Sequence, residues 1–147
     1  MLTIDQTANY ILDFAHEHQA FISNLKLQKL LYYAQAWHLA LKDRPLFDGH
    51  FEAWIHGPVN PELYQKYKTY SYKNIDADVT KPALNEETET FMQELLKQYF
   101  PFDAYELERL THQETPWLEA RSGLDPTQPS GMPINETSMR DYYRMQA

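Results

Sequence analysis

The sequence predicts a mainly α-helical fold, a single compact irregular domain of six or seven helices with one small two-stranded β element. Three observations carry that prediction. Apolar residues recur three and four apart in most windows, the spacing that gathers them on one helix face. Ser, Thr, Asn or Asp stands ahead of most of these windows, where a side-chain oxygen can accept from the first free N–H groups. Strict alternation is confined to one stretch, Phe51 to His56.

Thr3-Ile4-Asp5-Gln6 has the form of a capping box, and Ile4, Ala8, Ile11, Leu12 and Ala15 follow it, which predicts a helix over about residues 4–18. Ser23 and Asn24 are candidate caps for a second helix, about 24–42. Leu27, Leu30, Leu31, Ala34, His38 and Leu41 form one stripe of it, and Lys26, Lys29, Tyr33, Trp37 and Ala40 a second, amphipathic one. Two stripes mark this helix as central. Asp43-Arg44-Pro45 ends it, because the residue before a proline is biased to extended geometry. Phe51, Ala53 and Ile55 alternate with Glu52, Trp54 and His56 as a strand; residues 44–47 are placed to pair with it across Asp48-Gly49, and Gly57-Pro58 is expected to break it.

Asn60-Pro61-Glu62 combines a cap, a proline at the first helical position and an acid in the first turn, and opens a helix to about Thr69. Residues 70–84 show no period and read as a loop. Asn85 caps a helix whose stripe is Phe91, Met92, Leu95, Leu96 and Tyr99, and Pro101 stops it. Asp103 and Glu106 form another capping pair ahead of Leu107 and Leu110. Thr115-Pro116 opens a short helix through Trp117, Leu118 and Ala120, closed by Gly123. Residues 123–134, with three Pro and two Gly, read as a long loop, and Asn135 caps a last helix carrying Met139, Tyr142 and Tyr143.

A chain of 147 residues with 43% hydrophobic and 23% charged content has enough core to fold without staples. The absence of cysteine excludes disulfides, thiolate zinc sites and a Cys nucleophile. The N-terminus carries no basic segment followed by an apolar run, and no window approaches a membrane span, which points to a cytoplasmic protein with no membrane partner. Net charge is −8, with the whole excess in residues 74–147; the first half holds seven basic and seven acidic side chains. An acidic chain without a basic stripe is a poor match for nucleic acid and a better one for a basic protein. The segment 74–108, with nine carboxylates and two lysines, is either solvated helix surface or a landing area for such a partner.

Six histidines invite a metal reading, but His16 and His18 are two apart and point apart on a helix, and His56 and His112 stand alone. No metal site and no cofactor is expected. No G-x-S-x-G, H-E-x-x-H or Gly-rich phosphate loop is present, so no catalytic residue is assigned. His56 has two readings, a general base meeting a distant acid or a side chain that fixes the turn at Gly57. The aromatics Tyr32, Tyr33, Trp37, Trp54 and Tyr64 also have two. One is core packing. The other is a partly exposed aromatic patch rimmed by Lys26 and Lys29, the composition of an interface hot spot. That second reading assigns partner binding to Lys29, Tyr33, Trp37, Trp54, His56 and Tyr64, and expects Tyr33→Ala or Lys29→Glu to abolish binding in a folded chain.

Three blocks carry a pattern: K-L-Q-K-L-L-Y-Y-A-Q-x-W at 26–37, E-A-W-x-H-G-P-V-x-P-E-L-Y at 52–64, and T-x-x-E-T-P-W-x-x-A-R at 111–121. In this the chain resembles the Panacea domain, the SocA-like antitoxins, from about residue 4 to 144. The matching positions are Leu27, Gln28, Lys29, Tyr32, Tyr33, Trp37, Trp54, His56, Gly57, Pro58, Pro61, Tyr64, Thr111, Trp117 and Arg121. The resemblance implies a small, mostly helical antitoxin of a bacterial or phage toxin–antitoxin pair, whose partner is a cognate protein toxin neutralised by contact and without catalysis. Some members carry additional DNA-binding segments; room for a separate one is not expected in these 147 residues, nor is transcriptional control. Two alternatives stay open, an adaptor that delivers the toxin to a protease and an enzyme that reverses toxin damage. A homo-oligomer is also open.

Overall fold

A computed structural model describes residues 1–147 and contains seven α-helices, one 3-10 turn and two small two-stranded sheets. In chain order they are β1 (Leu2–Thr3), α1 (Ile4–Glu17), α2 (Asn24–Lys42), β2 (Phe47–Asp48), β3 (Glu52–Trp54) and β4 (Gly57–Val59). Then follow α3 (Pro61–Tyr67), the 3-10 turn Lys68–Tyr70, α4 (Glu86–Tyr99), α5 (Ala104–Thr111), α6 (Thr115–Arg121) and α7 (Glu136–Gln146). The mainly helical prediction holds.

The helix starts fall where the cap residues stand. Thr3 and Asp103 close full capping boxes with Gln6 and Glu106. Ser23, Asn60, Asn85 and Asn135 each accept from a backbone N–H three residues on. Each such cap contributes about 1 kcal/mol. Glu114 precedes α6 but makes no capping bond, because its carboxylate is engaged elsewhere.

α2 is the axis of the molecule. Of its 19 residues 15 are buried, and α1, α3, α4, α5, α7 and β4 all pack on it. Both of its stripes are therefore interior except at Leu41, which is 56% exposed, and at half-buried Trp37. Its apolar residues join a cluster of 30 buried hydrophobics that also takes in Phe47, Phe51, Met92, Leu107, Trp117, Met139 and Tyr143.

The strands differ from expectation. Residues 44–47 do not pair with 51–56. Phe47–Asp48 instead pairs in parallel with Leu2–Thr3. The backbone at 46–47 is already committed to α2: Gln35 Oε1 accepts from Leu46 N at 2.8 Å and Phe47 N at 3.3 Å, and its Nε2 donates to Phe47 O at 2.8 Å. The strand ends at Trp54, earlier than His56, and Gly57-Pro58 opens a second strand beyond it. The chain turns back through Ile55 and His56, and Gly57, at φ +100°, starts β4 antiparallel to β3, with Ala53 opposite Pro58 and Trp54 opposite Gly57. Residues 132–134 cover the other edge of β3 through Ala53 N to Met132 O and Ile134 N to Phe51 O.

Candidate functional site

Of the six residues proposed to meet a partner, five separate into two regions, and half-buried Trp37 lines a different open groove with Leu41, Phe91, Glu94 and Tyr99. Lys29 and Tyr33 lie in the first, which is closed to solvent. Tyr33 OH donates to Glu114 Oε1 at 2.7 Å, and Tyr143 OH sits 2.8 Å from the same oxygen and 3.2 Å from Tyr32 OH. The Tyr33 ring stacks on Tyr99 at 4.2 Å, and Trp37, half-buried, donates its indole N–H to Tyr99 OH at 2.7 Å. Burial pushes the Glu114 carboxyl above the usual range while the two phenols pull it back. Burial also drives the Tyr32, Tyr33 and Tyr143 phenols far up.

Lys29 is fully buried, and its Nζ has no hydrogen-bond partner. Removal from water draws its pKa down to about 7, against the pull of Glu108. Its stem fills the space that Gly57 leaves; a Cβ at Gly57 would collide with Lys29 Cε and stand 3.0 Å from Thr111 Oγ1. Lys26 is covered as well, donating to Phe100 O at 2.7 Å with its ammonium 4.0 Å from the Phe100 ring centre. The expected exposed patch rimmed by Lys26 and Lys29 is thus absent from the surface. Lys29 and Tyr33 are core because β4, α4, α5 and α7 pack against α2 over them, and substituting them tests folding before it tests binding.

Trp54, His56 and Tyr64 do come together. They line an open groove of about 450 Å³ with Leu25, Ile55, Val59, Pro129, Ser130 and Gly131. The Trp54 and Tyr64 rings meet edge to face at 5.0 Å. Trp54 Nε1 donates to Glu52 Oε1 at 2.9 Å, and Trp54 O accepts from Trp117 Nε1 at 2.9 Å. His56 stands at the rim with its side chain 63% exposed and Nδ1 2.9 Å from Glu108 Oε1.

The far wall comes from the long loop 123–134, and Arg121 holds it there. Its buried guanidinium donates to Ala53 O and Asp125 O, both at 2.9 Å, and to Gln128 O. Its Cζ lies 4.8 Å from the Trp117 ring centre, and the Trp117 ring also stacks on His112 at 3.9 Å. Burial lowers the His112 pKa. Sequence reasoning missed this wall, along with Leu25, Ile55 and Val59; the available signal was Arg121 standing at the end of a patterned block, directly before the loop. It also missed a second shallow groove where the exposed rings of Phe21, Tyr72 and Tyr105 gather beside Leu25, since these three share no local period.

No three His, Asp or Glu side chains converge as a metal-ligand set. No helix is long and apolar enough to cross a membrane.

The family model described as antitoxin SocA-like, Panacea domain, matches residues 27–118. The Antitoxin SocA of Caulobacter vibrioides (strain NA1000 / CB15N) is 48% identical over 68 residues, which cover 46% of this chain and 36% of that protein. The match therefore spans about a third of the curated relative's length. No solved structure matches. Trp54, His56 and Tyr64 lie inside the matched segment, whereas Leu25 and the 129–131 wall lie outside it.

Proposed function

This chain belongs to the SocA-like antitoxin family that carries the Panacea domain, and from that premise we propose that it neutralises a protein toxin by direct, stoichiometric contact in the groove between Trp54 and residues 129–131. Family membership supports the antitoxin role itself. The choice of surface and of binding over turnover is the proposal.

The observation that carries it is the division among the patterned aromatics. Trp54 and Tyr64 reach solvent together over an apolar floor, with His56 at the rim, while Tyr33 is sealed in the core. Accessible aromatic rings with a polar rim are the anatomy of an interface hot spot. The His56–Glu108 pair lies at the exposed edge, where water screens it, a setting suited to recognition rather than to proton abstraction. A stable interface of about 800 Å² per partner would take roughly a tenth of the 8040 Å² surface.

Co-expression of the tagged chain with the product of the adjacent reading frame tests this. The expected result is growth rescue and co-purification in a fixed ratio. The variant combining Trp54→Ala with Tyr64→Ala loses both while keeping its helical circular dichroism. A folded double variant that still captures and protects removes the groove from consideration. A falling toxin level on expression points instead to delivery to a protease. Rescue without any complex, lost in His56→Ala, points to an enzyme.

A further inference from the structure

The charges around the groove say something about what it accepts. Its floor is apolar, made by Leu25, Val59 and the Trp54 and Tyr64 rings. One carboxylate stands at each of two places on its edge. Glu108, 20% exposed, meets His56 at 2.9 Å. Glu52, 24% exposed, accepts from the Trp54 indole, lies 3.6 Å from His50 Nε2, and is close enough to Gly131 that a Cβ there would touch it at 3.4 Å. The ion-pair partners of both are histidines, which are charged only when protonated and whose side chains are 58% and 63% exposed. Neither carboxylate is paired with a surface Lys or Arg, unlike Glu87, Asp5 and Asp43, which are. The groove wall itself contributes no lysine or arginine.

We infer that the groove takes a polypeptide segment in which an apolar side chain, seated on the Trp54–Tyr64 floor, is flanked by Lys or Arg residues that pair with Glu52 and Glu108. The inference rests on the reading of this groove as the toxin-docking surface. Lys and Arg displace the exposed histidines at little cost, because a histidine–carboxylate contact at the surface is weak and screened. The pairing sets the register of the segment and speeds encounter, and the apolar anchor holds it.

The test uses the full chain as bait against a random peptide library displayed on phage, with the Trp54→Ala chain as competitor in solution. Selected peptides are then titrated by fluorescence anisotropy at low and at high salt. The expected selection converges on an aromatic or branched aliphatic residue with Lys or Arg on both sides. Glu52→Gln and Glu108→Gln each weaken these peptides about two- to fivefold at low salt, and high salt erases the difference. Each glutamine keeps an oxygen for the Trp54 or His56 donor, so the groove retains its shape. Peptides that are acidic or uncharged, and bind both glutamine variants as tightly as the original chain, overturn the charge pairing and leave the groove as a docking surface. Peptides indifferent to Trp54→Ala, or no enrichment, overturn both. Self-association of the chain that Trp54→Ala abolishes makes the occupant a second copy and likewise overturns the proposal.

Discussion

The interior around α2 and the groove beside β3 use the same kinds of residue, aromatic rings with glutamates and basic side chains near them, and differ in how much water reaches them. Around α2, Glu114 is shared by two phenols and Lys29 has no hydrogen-bond partner at all. Beside β3, Glu108 and Glu52 meet exposed histidines, and the Trp54 and Tyr64 rings keep a face toward solvent. Burial makes an unpartnered polar group such as Lys29 costly and makes the loss of a partner, as at Glu114, expensive. Leaving them at a rim makes each worth little to the fold and keeps them free to bind. One set of sequence blocks thus supplies both a tightly packed core and a solvent-lined aromatic groove.

The largest expected effects test the buried side of that contrast. Tyr33→Ala opens a cavity and removes one of the two phenols on Glu114, and should cost about 3–5 kcal/mol. Lys29→Glu sets a second carboxylate near Glu108 out of water, with a loss at least as large. Urea unfolding measures both, and an unchanged midpoint for either would contradict the burial. Next comes pH. The Lys29 ammonium titrates near 7 in the folded chain and near its ordinary value of about 10.4 once unfolded. Between these values the unfolded chain holds more protons, so this group makes stability rise with pH across the window, by a few kcal/mol in total. The buried phenols act in the opposite sense above about pH 10, where the unfolded chain loses their protons first. Comparing unfolding at pH 7 and 9 should therefore show the original chain gaining stability. Lys29→Met, close in volume and without charge, should be at least as stable at pH 7 and show a smaller gain.

Trp54→Ala sharpens the other side. It should weaken toxin capture by about 2 kcal/mol or more, the scale of a hot-spot residue, while the helical signal persists; calorimetric titration against purified toxin measures it. The smallest effect is His56→Ala. Its exposed pair with Glu108 should be worth less than about 1 kcal/mol to stability, readable as a small shift in thermal midpoint. A drop comparable to Tyr33→Ala would erase the distinction between the two regions.

Much of the fold was legible because its determinants are local. Thr3, Ser23, Asn60, Asn85, Asp103 and Asn135 cap helices through neighbours three residues away, and Pro61 and Pro116 need only their own geometry. The strand partners were not legible. Whether residues 46–47 bond to 51–56 or to the N-terminus depends on Gln35, eleven and twelve positions away and on another element. The candidate site divided in the same manner. Trp54, His56 and Tyr64 are gathered by the tight turn at Gly57 and the helix start at Pro61, both visible in one block. Lys29 and Tyr33 looked like surface because amphipathic spacing reports which residues share a face, not what covers that face.

By itself the sequence determined where each helix begins, the apolar faces each presents, and the patterned blocks that place the chain in its family, since hydrogen-bonded caps, proline geometry and side-chain periodicity act over a few residues. Only the tertiary structure decided that α7 and α4 close over the second stripe of α2, that Lys29 lies dry beneath Gly57, and that the Arg121-held loop builds a wall opposite Trp54. Burial and long-range hydrogen bonding are properties of which elements meet, and no single segment carries that information.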